Sequence, residues 1–203
     1  MQVMMPFITS GLETVKSPAL QSATRMVVSQ LVAHTKLDAD TTTSLVESVA
    51  CTLDEASAED ALKCLVVISQ TQHLAELPAE AFHRLAKVNE LPARLDALCR
   101  EFEAGKLLRL LVEAVLGELD QHRGNEELLL RIVQDVKISA KLAKAIGLTI
   151  ATRLVTCPWS VFLLSNLCSR AAPPTRTHYP CPWRQILLAH LPPCLSYDDE
   201  QKP

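Results

Sequence analysis

Two groups of side chains in this sequence have types and spacings that could do chemistry. His178 and Cys181, with His190 and Cys194, form a His-x2-Cys and a His-x3-Cys pair separated by eight residues. Zinc asks for four such soft ligands converging tetrahedrally, and a tight loop between the pairs would allow it. Pro180, Pro182, Pro192 and Pro193 crowd those ligands, and the expectation is that no metal site forms there. Lys137, Lys141 and Lys144 stand at i, i+4 and i+7, a spacing that predicts one basic stripe along a helix face. Such a stripe could meet RNA phosphate or an acidic partner, although it is also the ordinary solvated side of an amphipathic helix. No aromatic residue is interleaved with it, which argues against base stacking. A Gly-rich phosphate loop, a His-Glu-x-x-His pair and a Gly-x-Ser-x-Gly elbow are all absent from the sequence. His34, His73, His83 and His122 each stand alone at or near expected helix ends. No catalytic residue, cofactor or small-molecule substrate is therefore expected.

The elements that would position these groups read as helices. Ser17-Pro18 has a side-chain cap followed by proline at the first helical position, and Leu20, Ala23, Val27 and Leu31 recur on one face through to about His34. Asp38 or Asp40 caps a second helix with the stripe Leu45, Val46, Val49 and Leu53. Ser57 with Asp60 resembles a capping box, opening a helix (58–72) that is apolar almost all round and so must be covered on two sides. Pro78 and Pro92 start shorter helices, to about Val88 and Phe102. Residues 106–120, 125–139 and 140–155 make three more, with Gly124 breaking the chain between the first two. No window alternates with period two for long enough to be a strand. The helix pairs that begin near Ser17 and Ser57 are forty residues apart, the rhythm of HEAT or armadillo units. The expected fold class is all-α: a HEAT/armadillo-like α-solenoid fragment of antiparallel helix pairs over residues 1–156.

Beyond Thr156 the character changes. Residues 157–203 hold eight of the twelve prolines, four of the seven cysteines, both tryptophans and both tyrosines, and are expected to form a divergent, poorly structured tail. The apolar stretch Ala145–Cys168 tempts a transmembrane reading, but Arg153 near its centre and Pro158 oppose it. Residues 1–16 lack the basic and apolar regions of a signal peptide, and seven irregularly spaced cysteines suit reduced thiols. Cys51, Cys64 and Cys99 are expected as small core residues. The net charge of −3 does not suit a general nucleic-acid binder. Residues 1–80 carry four basic and ten acidic side chains against twelve and ten over 81–156, so an anionic partner would favour the second stretch.

Met4-Met5-Pro6-Phe7-Ile8, Gly11-Leu12, Ala23-Thr24-Arg25-Met26, Asp60-Ala61-Leu62-Lys63-Cys64-Leu65-Val66-Val67 and Lys106-Leu107-Leu108-Arg109 resemble, in order and spacing, an N-terminal segment of the family of U3 small nucleolar RNA-associated protein 10, also called HEAT repeat-containing protein 1. The resemblance runs from about Gln2 to Leu154. It implies a long α-solenoid of the nucleus and nucleolus that works in the small-subunit processome, in pre-18S ribosomal RNA processing and in support of ribosomal RNA gene transcription. It also implies protein subunits of a pre-ribosomal particle as partners, with RNA contact weak or indirect and no membrane. The chain is then expected to be a fragment or short isoform that enters mid-array, with a tail from read-through or an alternative exon. A generic HEAT adaptor without a nucleolar role, or a tail-driven membrane-associated protein, are the competing readings.

Overall fold

A computed structural model describes residues 4–13, 17–119, 124–137 and 139–155. The chain divides into two compact units, residues 1–138 and 139–203. Among the described residues all regular structure is helical: α1 (Met5–Glu13), α2 (Pro18–His34), α3 (Ala39–Cys51), α4 (Ala58–Thr71), α5 (Ala79–Ala86), α6 (Leu91–Glu101), α7 (Gly105–Gly117) and α8 (Gly124–Asp135) in the first unit, and α9 (Ala140–Val155) in the second. The protein is an all-α solenoid fragment.

Local chemistry starts several of these helices as expected. The Ser17 hydroxyl accepts from the Leu20 amide at 3.3 Å, with Pro18 at the first helical position. Asp38 caps α3, accepting from the Thr41 amide at 2.9 Å and its hydroxyl at 2.7 Å. Those bonds, the amide first, hold the Asp38 carboxyl below its usual range. No helix is expected before Ser17, yet Met5–Glu13 forms α1 with Pro6 and Gly11 inside it. Pro6 lies in the first turn, where no amide partner is needed. Gly11 is where α1 touches α2: a Cβ there would lie 2.5 Å from Thr24 Oγ1.

Within the first unit the helices form two layers. α2 packs on α4 and α4 on α7; α1 packs on α3 and α3 on α5, while α8 packs on α6 and α7. α4 is therefore covered from several sides, burying Ala61, Leu62, Leu65, Val66 and Ile68, as its apolar circumference requires. Its neighbour α7 buries Leu107, Leu108, Leu111, Val112 and Val115.

Several polar ties between helices cross 32 to 40 residues of chain. Ser22 donates to Asp60, 38 residues on, and Arg25 to Ser57, 32 on. Gln72 reaches Val32 across 40 residues, Lys106 the Gln70 carbonyl across 36, and Arg94 pairs with Glu55 across 39.

Four expectations are corrected. The buried face of α2 is Gln21, Arg25, Val28 and Val32, whereas Leu20, Ala23 and Val27 of the expected stripe are exposed. The helix turns its polar side chains inward because distant main-chain groups need them. The Gln21 amide donates to the Leu12 carbonyl at 2.9 Å. One Arg25 nitrogen reaches the Thr52 carbonyl at 2.9 Å, the Thr52 hydroxyl at 3.0 Å and the Ser57 hydroxyl at 3.1 Å. For the same reason Ser57 and Asp60 form no capping box: Ser57 makes no side-chain cap to α4, and Asp60 accepts from Ser22 at 2.7 Å. Gly124 opens α8 rather than breaking the chain before it, and α8 stops at Asp135. Cys51 is exposed, while Cys64 is buried and Cys99 half-buried. Burial pushes the Cys64 thiol up to about 11.

Gln72, like Arg25, makes three such bonds. Its amide nitrogen donates to the carbonyls of Val32 at 2.6 Å and Thr35 at 2.8 Å, and its oxygen accepts from the Leu37 amide at 2.8 Å. Replacing Gln72 by Ala strands those groups and is expected to cost about 2–3 kcal/mol in urea unfolding. Gly11→Ala is expected to cost about 1–3 kcal/mol by overpacking against Thr24. The cost should shrink in the background Thr24→Ala, and a double-mutant cycle measures that coupling. Asp38, with its lowered folded pKa, contributes stability when ionised and loses it as pH falls through the carboxylate range. The midpoint gap between the parent and Asp38→Ala should therefore be full near neutrality and close in acid.

Candidate interaction surfaces

The basic stripe does not survive as one helical feature. Lys137 lies in the joint after α8, whereas Lys141 and Lys144 lie on α9. The break has local causes. The Lys137 amide leaves the helical ladder to donate to Asp96 Oδ1 at 2.7 Å, a carboxylate that also accepts from Arg100. Ser139 then starts a new helix, its hydroxyl accepting from the Leu142 amide at 3.3 Å. All three lysines are exposed, but no continuous helix presents them together. The pairs His178 and Cys181, and His190 and Cys194, lie outside the described residues, as does the second part of the stretch Ala145–Cys168. Among the described residues no helix is long and apolar enough to cross a membrane.

A different surface emerges on α1 and α2. The close approach of Gly11 to Thr24, together with the bond from Gln21 to Leu12, holds α1 against α2. Phe7 is 72% exposed and Met26 70%, and Met4, Leu20 and Val27 are each about half exposed. Ala23 is also on the exposed side. Arg25 is the only Lys, Arg, Asp or Glu of α2, and it is buried, so the solvent side of this helix carries no such charge. Elsewhere the exposed faces are solvated and laced by ion pairs one turn apart, as in Lys63 with Glu59 at 2.6 Å and Arg109 with Glu113 at 2.9 Å. An apolar face free of charge can bury area against a protein partner but offers nothing to a phosphate backbone.

The signal for this surface is in the sequence: a seventeen-residue helix with a single fully charged side chain. It was misassigned because an apolar stripe is normally core. Only the polar ties that claim the opposite face reveal that here it is not.

The family model described as U3 small nucleolar RNA-associated protein 10 matches residues 1–115, from α1 through most of α7. A protein named U3 small nucleolar RNA-associated protein 10 from Aspergillus clavatus is 25% identical over 132 residues, which cover 64% of this chain and 7% of that protein. One of the same name from Aspergillus fumigatus is 27% identical over 110 residues, covering 53% of this chain and 6% of that protein. The chain thus spans a small part of the length of the relatives it matches. The matched span contains the ties made by Arg25 and Gln72 and the exposed face of α1 and α2, and it stops short of Lys137, Lys141 and Lys144. With more than half of its residues inside the family model, the chain belongs to the U3 small nucleolar RNA-associated protein 10 family.

Proposed function

We propose that this chain is a HEAT-type scaffold segment of a nucleolar ribosome-biogenesis factor. It acts in the small-subunit processome, where it assists pre-18S ribosomal RNA processing and supports transcription of ribosomal RNA genes. It works by binding rather than catalysis, with protein subunits of the pre-ribosomal particle as its main partners. RNA contact through Lys137, Lys141 and Lys144 is secondary. Residues 1–156 carry this role and residues 157–203 take no part in it.

The observation that supports this reading best is the exposed apolar face of α2, which carries no Lys, Arg, Asp or Glu on its solvent side, together with the exposed Phe7 of α1, both inside the span matched by the family model. A folded segment that leaves Phe7 and Met26 open to solvent gains free energy by covering them, on the order of 25 cal/mol per Å2 of apolar area removed from water.

The reading is tested in cells with the tagged 203-residue chain. It should concentrate in nucleoli and disperse when RNA polymerase I is inhibited. A Phe7→Asp, Met26→Asp double variant that keeps the parent's helical circular dichroism should lose co-sedimentation with pre-ribosomal particles. A triple Lys→Ala variant at 137, 141 and 144 should retain most of it. Diffuse staining that ignores polymerase inhibition sinks the reading.

A further inference from the structure

The turn between α3 and α4 combines features that the scaffold role leaves unused. Ser57 is the N-cap residue of α4, a helix of fourteen residues, yet its hydroxyl makes no cap to that helix. It accepts from Arg25 at 3.1 Å and donates to the Thr52 carbonyl at 3.2 Å. Arg25 is only 3% exposed, and its Nε is buried without a hydrogen-bond partner. A buried guanidinium N–H beside a free helix N-terminus is a strong donor set for a tetrahedral anion. The first-turn amides of α4 have no acceptor within the helix, and the helix dipole favours negative charge there.

The sequence around Ser57 says how such an anion could arrive. Asp54, Glu55, Glu59 and Asp60 surround it, with acidic residues two and three positions downstream, the pattern on which acid-directed protein kinases act. Asp54, Glu55 and Ala56 are exposed, so the turn is open to solvent immediately before the hydroxyl. We propose that Ser57 is a phosphorylation site, and that the phosphoserine is held by the Arg25 guanidinium and the N-terminus of α4.

The kinase supplies ATP. The bond from Ser57 Oγ to the γ-phosphorus forms as the bond from that phosphorus to the bridging oxygen of ADP breaks. ADP leaves with the electron pair, and the hydroxyl proton passes to the kinase's base. The phosphate then competes with the Thr52 carbonyl for Arg25, and it displaces Asp54, which accepts from the Ser57 amide at 2.7 Å. The consequence is a change in what Arg25 ties to α2. In the unmodified chain these are the Thr52 carbonyl and the hydroxyls of Thr52 and Ser57; in the modified chain it is a dianion at the N-cap of α4.

The test incubates the intact folded chain with an acid-directed kinase and ATP, then maps the phosphate by fragmentation mass spectrometry. Phosphate should appear on Ser57. It should be lost in Ser57→Ala and slowed several-fold in Asp60→Asn, whose amide oxygen still accepts from Ser22. The titration of the phosphoserine is then followed by phosphorus NMR, in the folded chain and in urea. The folded value should fall about one unit below the unfolded one, as expected for an anion beside a guanidinium. Phosphate on other residues with Ser57 unmodified overturns the proposal. So does a phosphoserine on Ser57 that titrates alike in folded and unfolded chain, since nothing then holds it.

Discussion

Stacked helices bury their own ends, and each end carries main-chain groups without a partner inside the helix. In this protein that constraint is met by long polar side chains sent across from neighbouring helices. Gln21 serves the end of α1, Gln72 the end of α2 and the entry to α3, and Arg25 the turn after α3. Asn125, at the start of α8, does the same for the Glu118 carbonyl after α7 at 3.2 Å. Removing such a donor leaves buried acceptors bare, which costs more than the bond itself contributes. The ties therefore decide which face of a helix points inward, overruling its hydrophobic pattern where the two conflict.

α2 shows the result. Its apolar stripe could have been core, but the inward side is taken by Gln21 and Arg25, and the stripe is left on the surface. That leaves Met26 and Val27 exposed, as Phe7 of α1 is, and available to a partner. A structural requirement of the repeat and a binding surface are thus two sides of one helix.

This also explains what was legible beforehand. Helix starts were readable where the signal is local, at Ser17-Pro18 and Asp38. α4 declared its buried place by being apolar all round, and the forty-residue rhythm followed from the spacing of Ser17 and Ser57. What escaped was set by residues about one repeat away. Ser57 looked like a cap but answers to Arg25, and Lys137 looked helical but gives its amide to Asp96, 41 residues earlier. Local pattern cannot weigh a partner at that distance. The family resemblance was readable because its motifs, such as Gly11-Leu12 and Ala23-Thr24-Arg25-Met26, are local runs of sequence; these two lie in α1 and α2, which pack on one another.

Through these side-chain ties neighbouring helices should behave as a single cooperative unit. Native-state amide hydrogen exchange on an Arg25→Gln variant tests it most directly. Amides of α2 and α4 should lose protection together and by similar amounts, while α7 keeps more of its own. Faster exchange confined to the turn at residues 52–57, with α2 and α4 unchanged, would contradict it.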